Sequence, residues 1–217
     1  MITIKDIILI CASMVEDTDI KYDVKFNIYD TYSKKIEVSY TPQELKDQRL
    51  NGCITVGQKA IDIGLDPVLA MSVGLHESKF HKDIVGDGSI GIMQVIPKYW
   101  CKLQAKVNWV SKSQYQWTPK EQTSCKKKLK PNHYYDDKCK PILCDSIHCD
   151  MIKCDLEESG VIALYTNKKK DLREMLFRYN KGNRCDKLVD KTKCIESGYK
   201  YADSILRIYK KYRIKPY

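Results

Sequence analysis

The sequence DPVLAMSVGLHES, residues 66–78, predicts the helix around which the rest of the chain is built. Asp66 and Pro67 form a typical helix start, a capping side chain followed by a proline in the first turn. The residues after them are apolar on nearly every side, as in a helix that is buried in a core. Glu77 follows Leu69 and Val73 at spacings of four, so its carboxylate lies along this apolar stripe.

A carboxylate at position 77 has two interpretations. If the side chain is buried, desolvation raises its pKa towards the range that a general acid needs. If the helix end is exposed, Glu77 is an ordinary solvated side chain. The helix alone leaves both interpretations open.

The segment downstream of this helix has the composition of a ligand-binding turn. Residues 86–91, GDGSIG, are dense in glycine, which lets the backbone approach a ligand closely. Gln94 then offers a hydrogen-bond donor and acceptors beside the apolar Met93, a mixture that sugar-binding grooves use. We expect this turn and Glu77 to share one site.

Upstream of this core, the first residues predict a helix. Apolar residues between Ile4 and Val15 follow helical spacing, with Thr3 and Asp6 as a capping pair. The apolar run 7–10 could also be the core of a signal peptide, but Asp6 directly follows Lys5 and the run lacks the flanks of such a segment. We therefore favour a retained, buried helix.

Alternating residues over 20–40 then predict a β-hairpin with one buried face. Thr41 to Glu44 form a second capping box, and Asn51-Gly52 predicts the end of that helix. We interpret residues 1–52 as an accessory element for support or docking, and residues 53–217 as the main domain, which contains the central helix and Glu77.

Residues 98–155 are rich in lysine and cysteine and are interpreted as an insertion into that domain. The sequence has ten cysteines. Six lie in the insertion, at positions 101, 125, 139, 144, 149 and 154, the last four with a strict spacing of five. Disulfides are favoured over a zinc site with His133 and His148, because zinc ligands usually occur as closer cysteine pairs. Free thiols remain a third possibility. Oxidised cysteines would imply an extracytoplasmic or virion-surface environment.

Charge and hydropathy exclude some classes of function. The chain has 38 Lys and Arg against 28 Asp and Glu, a net charge of +10, but only 6 of the cations are Arg. Arginine is the residue suited to reading bases and phosphates, so sequence-specific nucleic-acid binding is disfavoured. The basic surface either is simply solvated or attracts an anionic polymer such as a bacterial cell wall. No apolar stretch is long enough for a transmembrane helix.

Four motifs in this order resemble the soluble-type lytic transglycosylases and, less closely, the goose-type lysozymes. The similar segments are 60–67 before the central helix, 75–80 with its Glu-Ser pair, Gly91-Ile92-Met93-Gln94, and 177–182 with Tyr179-Asn180. A further cleft tyrosine of the family corresponds to Tyr201. The resemblance covers about half of the chain.

The resemblance implies a fold and a set of site residues. The fold would be α+β but mainly α, a lysozyme-like helical domain with the N-terminal hairpin and the cysteine-rich insertion added to it. Glu77 would be the only general acid and base, with Asp87 as the one carboxylate placed to position a water molecule, because Ile96 occupies the place of a second acidic residue of the goose-type enzymes. The implied substrate contacts are Ser78, Ser89, Met93, Gln94, Tyr179, Asn180 and Tyr201.

The implied activity is cleavage of peptidoglycan glycan strands with formation of 1,6-anhydro-muramyl ends, without a cofactor or metal. Two alternatives remain open: a hydrolytic muramidase that uses Asp87, and an inactive wall-binding or virion structural protein. A basic, cysteine-rich nucleic-acid or metal module is a weaker rival. Further partners would be virion or secretion-machine proteins that contact the hairpin. The site of action would be the cell wall or periplasm, reached by release on lysis, through a dedicated secretion machine or, as we favour, in a phage particle.

Overall fold

The structure is a computed structural model. It describes residues 2–18, 24–29, 35–82, 84, 89, 91–96, 108–110, 133–135, 155–167, 171–182, 184–188 and 190–213. These residues form a mainly helical protein, as the sequence predicts. The helices are α1 Ile4–Glu16, α2 Pro42–Asp62, α3 Pro67–Ser78, α4 Leu156–Tyr165, α5 Leu172–Lys181 and α6 Thr192–Tyr212, with a 3-10 turn at Cys185–Lys187. The strands are β1 Val24–Tyr29, β2 Lys35–Tyr40, β3 Asn108–Val110 and β4 His133–Tyr135.

Helix α1 begins at the predicted capping box. The Thr3 backbone N–H donates to Asp6 Oδ2 at 2.7 Å, and the Asp6 N–H donates to Thr3 Oγ1 at 3.3 Å. One face of α1 is buried against α2 and α3, and Cys11 on this face forms a disulfide with Cys53 of α2. The predicted buried helix is confirmed, and α1 is an integral part of the core.

The predicted hairpin is confirmed at the level of the backbone. Strands β1 and β2 are antiparallel, and their register pairs Phe26 with Val38 and Ile28 with Ile36. The two-residue alternation of the sequence therefore matches the pairing across the hairpin. The prediction that one face is buried concerns side chains that lie outside the described residues.

The prediction that α2 ends at Asn51-Gly52 is wrong, because the helix continues to Asp62. Gly52 does not end the helix but allows Ile92 and Phe80 to pack closely against it. A Cβ atom at this position would lie 2.6 Å from Ile92 Cδ1 and 2.9 Å from the Phe80 carbonyl oxygen. The predicted domain boundary at residue 52 therefore falls inside a continuous helix, whose two halves pack against the same core.

Helix α3 is the centre of the fold, as predicted. Asp66 Oδ1 accepts from the backbone N–H groups of Val68 and Leu69 at 2.9 and 3.3 Å, which caps the helix. The helix is buried along most of its length and packs against α1, α2 and α6. This packing leaves its C-terminal end, with Glu77, at the border of the core.

Two disulfides join described residues, Cys11–Cys53 and Cys185–Cys194. The second closes the connection between α5 and α6. The six cysteines of the proposed insertion lie outside the described residues. Within the insertion, the structure describes the short antiparallel strands β3 and β4. In the part of the chain that the structure describes, no helix has the length and apolar character needed to span a membrane.

Candidate active site

Glu77 lies in the last turn of α3, where the chain reverses direction. Lys79 and Phe80 both have left-handed backbone conformations, with φ of 53° and 62°. The Phe80 side chain is buried, and its N–H donates to the Gly74 carbonyl oxygen at 3.3 Å. The strained reversal is held in place by this buried ring, and it returns the following segment across the end of α3.

Ser78 ties this helix end to the glycine-rich segment. Its side chain is buried, and its hydroxyl donates to the Ile92 carbonyl oxygen at 2.9 Å. The structure places Ser78 beneath the site, where it fixes the distance between α3 and residues 91–95. Its hydroxyl is engaged with backbone instead of being directed into an open groove.

Gln94 organises the turn in which it lies. Its Nε2 donates to the carbonyl oxygens of Ile84 and Gly91 at 3.0 and 2.9 Å, and its Oε1 accepts from Ser89 Oγ at 2.9 Å. Gln94 and Gly91 have positive φ angles of 46° and 77°. The sequence suggested an amide available to a sugar, whereas both N–H groups of this amide hold the protein's own loop together.

Met93 contributes its main chain to the site. Its side chain is fully buried against Gly160. A Cβ atom added to Gly160 would lie only 2.3 Å from the Met93 Cβ, so no larger residue fits there without a shift. Its carbonyl oxygen accepts from the Tyr179 hydroxyl at 2.5 Å. Gly160 of α4 thus admits Met93 to the core, a contact between distant residues that the sequence pattern does not reveal.

Two tyrosines from different helices converge on Glu77. Tyr201 of α6 donates its hydroxyl to Glu77 Oε1. Tyr179 of α5 lines the same cavity as Glu77. Burial raises the pKa of its phenol, and the charge of Glu77 raises it further. The structure therefore brings together Glu77, Tyr179 and Tyr201, which are distant in sequence.

Helices α5 and α6 are held together on their outer side, which fixes the positions of these tyrosines. Arg173 of α5 forms a two-point ion pair with Asp203 of α6, at 2.7 and 2.9 Å. The guanidinium also lies over the Tyr199 ring, whose hydroxyl donates to Glu174 at 3.1 Å. Two-point pairing restricts orientation as well as distance.

The surroundings of Glu77 favour its protonated form. Burial raises the pKa of the Glu77 carboxyl, and the hydrogen bond from Tyr201 opposes this increase to a smaller extent. No lysine or arginine of the described ranges forms an ion pair with Glu77 that would counteract the burial. A carboxyl with a raised pKa is suited to donate a proton near neutral pH.

Glu77 opens into a cavity of about 200 Å³ with a mixed polar and apolar lining. Ser89, Gln94 and Asn180 supply polar groups, whereas Val95, Ile96 and Ala163 supply an apolar wall. The remaining lining residues are Glu77 and Tyr179. Of the predicted contacts, Ser78, Met93 and Tyr201 do not line the cavity but bind residues of the site through hydrogen bonds.

The remaining predictions for the site concern Asp87 and the ligands of a metal ion. Asp87 lies outside the described residues, as do the insertion cysteines. Among the residues that the structure describes, no three His, Cys, Asp or Glu side chains are grouped as metal ligands would be. Two residues of the site were not predicted from the sequence: Ala163, which lines the cavity, and His76, whose ring contacts Tyr201.

Comparisons of the chain with protein-family models, with curated proteins and with solved structures found no match.

Proposed function

We propose that this protein is a lytic transglycosylase that cleaves the β-1,4 bond between N-acetylmuramic acid and N-acetylglucosamine in peptidoglycan. One observation carries the proposal: Glu77 has a raised pKa, accepts a hydrogen bond from Tyr201 and opens into a cavity that is part polar and part apolar. A carboxyl whose pKa is raised by burial, beside such a cavity, suits the general acid that glycosidic bond cleavage requires. The resemblance of four sequence motifs supports the same reaction class.

In the first step, Glu77 transfers its proton to the oxygen of the scissile bond. The bond between that oxygen and C1 of the muramic acid breaks, and its electron pair stays on the leaving oxygen. C1 becomes electron-deficient, with oxocarbenium character. Glu77 is now a carboxylate, which the Tyr201 hydroxyl stabilises by its hydrogen bond.

In the second step, Glu77 acts as a base towards the same muramic acid. It takes the proton of the C6 hydroxyl, and O6 forms a bond to C1, which closes a 1,6-anhydro ring. Glu77 is thereby protonated again, and no water is consumed. One carboxyl group is enough for both steps because they occur in sequence.

The number of carboxylates that line the cavity favours this reaction over hydrolysis. Within the described residues, Glu77 is the only carboxylate in the cavity lining, and Ile96 contributes an apolar side chain there. Inverting hydrolysis needs a second carboxylate that holds a water molecule. The hydrolytic alternative therefore depends on Asp87.

The net charge and the disulfides of the chain are also consistent with peptidoglycan as the substrate. The net charge of +10 favours approach to an anionic wall at low ionic strength. The disulfides Cys11–Cys53 and Cys185–Cys194 are compatible with an extracytoplasmic location. We propose that the protein acts at the cell wall, carried there in a phage particle or by a secretion machine.

The test is digestion of purified peptidoglycan by the wild type, by Glu77→Gln and by Glu196→Gln. Glu196 is an exposed carboxylate on α6, so its variant is a matched control for the loss of one negative charge. We expect Glu77→Gln to lose ~10²-fold or more of the activity, as expected for a general acid, and Glu196→Gln to retain it. Full activity of Glu77→Gln would refute the assignment.

Mass spectrometry of the digest separates the alternatives. Anhydro-muramyl ends support the transglycosylase, whereas reducing ends support the muramidase. Binding to sacculi without any cleavage by the wild type would favour a structural wall-binding protein.

A further inference from the structure

His76 stands out because it contacts the catalytic arrangement without lining the cavity. Its ring meets the Tyr201 ring edge to face, with centroids 5.0 Å apart and an angle of 79° between the planes. Tyr201 in turn donates its hydroxyl to Glu77 Oε1. The residues His76, Tyr201 and Glu77 therefore form a continuous chain of contacts.

The geometry of α3 explains why one tyrosine can reach both neighbours. Consecutive side chains of a helix diverge by about 100°, so His76 and Glu77 point to different sides of the helix end. Tyr201 comes from α6, which packs against α3. Its ring contacts the first of these side chains and its hydroxyl reaches the second.

The hydroxyl of a tyrosine moves when its ring turns, because the two are rigidly connected. A neighbour that meets the ring edge to face restricts this turning, and such contacts have a preferred geometry. His76 is exposed to solvent, and one side of its ring lies against Tyr201. Partial burial of the imidazole lowers its pKa, which favours the uncharged ring. The contact is thus a packing contact between two rings.

Resting on the proposed function, we infer that His76 is a positioning residue, which holds the Tyr201 ring at the orientation from which its hydroxyl donates to Glu77. His76 acts through Tyr201 and does not touch the substrate. Among the described residues, the titratable groups that face Glu77 are Tyr179 from α5 and Tyr201 from α6. Changes at His76 reach Glu77 through the second of these.

The first test compares His76→Ala with His76→Phe in peptidoglycan digestion. Alanine removes the ring, whereas phenylalanine keeps an edge-to-face partner without an ionisable group. We expect kcat of His76→Ala to fall about tenfold with KM unchanged, since misplacement of catalytic groups costs rate rather than binding. His76→Phe should keep most of the wild-type kcat, and equal thermal midpoints of the three proteins would exclude a folding defect.

The second test does not depend on activity. The titration of the Glu77 carboxyl carbon, followed by NMR, should move to higher pH in His76→Ala, because the hydrogen bond from Tyr201 favours the ionised form. His76→Phe should titrate like the wild type. This measurement remains decisive if the wild type proves inactive on peptidoglycan, in which case only the proposed function fails.

The inference is overturned if His76→Ala matches the wild type in both kcat and titration. It is equally overturned if His76→Phe is as impaired as His76→Ala, because a ring contact would then not explain the effect.

Discussion

The Tyr209 hydroxyl donates to Oδ2 of Asp66 at 2.7 Å, and this bond joins the end of α6 to the cap of α3. Asp66 uses its other carboxylate oxygen to accept from the first N–H groups of α3. At the opposite end of α3, Tyr201 of the same helix α6 donates to Glu77. Helix α6 thus holds α3 at both ends, and the position of Glu77 depends on the pairing of these two helices.

Tyr209→Phe removes one end of this connection without changing the shape of the ring. We expect a loss of about 1 kcal/mol in the free energy of unfolding, the usual value of one hydrogen bond, with a larger loss for Asp66→Ala because the helix cap is lost as well. Urea denaturation measures both. Equal stability of the two variants would show that the Asp66 cap adds nothing to the free energy of unfolding beyond the bond to Tyr209.

The same bond makes the stability depend on pH in the alkaline range. Burial and the hydrogen bond to Asp66 raise the pKa of Tyr209 to about 12. Because the folded pKa lies above the unfolded value of 10.0, the contribution is complete below that value and is lost as the pH rises from it to the folded pKa. Thermal midpoints of the wild type should therefore fall more steeply over this range than those of Tyr209→Phe.

Glu77→Gln should stabilise the protein at neutral and alkaline pH. Burial raises the folded pKa of Glu77 above its unfolded value, so the residue stabilises the fold only when protonated, and this contribution is lost as the pH rises through the folded pKa. Glutamine is uncharged and can still accept the hydrogen bond from Tyr201. The difference in thermal midpoint between Glu77→Gln and the wild type should increase from pH 4 to pH 8, and a constant difference would contradict the raised pKa.

Local signals in the sequence predicted the starts of three helices correctly. Thr3, Thr41 and Asp66 cap helices through bonds to residues within the next turn, so their partners can be found by spacing alone. Gly52 misled the prediction because its role depends on Phe80 and Ile92, which only the folded chain brings near it. Sequence spacing does not encode such a contact.

In the candidate site, too, some residues can be predicted from the sequence, whereas the roles of others depend on contacts that only the fold creates. The sequence points to Glu77 because its carboxylate interrupts an apolar helix, whereas Tyr179 and Tyr201 are predicted by the resemblance, and the structure brings the three side chains together. The roles of Gln94 and Met93 were not predictable, since hydrogen-bonding capacity in a sequence does not show which partner uses it. The structure assigns the Gln94 amide to its own turn.

Gln94→Glu tests this assignment of Gln94. The new carboxylate would face the carbonyl oxygens of Ile84 and Gly91, which now accept from the amide. We expect faster hydrogen exchange in residues 84–94 and a loss of about 1–3 kcal/mol of stability, because two acceptors lose their donors. Ser89→Ala removes only the bond to Gln94 Oε1 and should have a smaller effect. Unchanged exchange in Gln94→Glu would contradict a structural role for the amide.

The two described disulfides should differ in their effect on stability. Cys11–Cys53 closes a separation of 42 residues, and Cys185–Cys194 one of 9. Chain-entropy arguments give about 4 kcal/mol for the longer loop and about 2.6 kcal/mol for the shorter one. Paired serine variants, measured by urea denaturation, should follow this order. We also expect the serine variants at Cys185 and Cys194 to lose more peptidoglycan-cleaving activity per kcal/mol of stability lost, because this disulfide ties the 3-10 turn after α5 to α6, the helix that carries Tyr201. An equal loss of activity in the two pairs of variants would show that the disulfide does not help to position Tyr201.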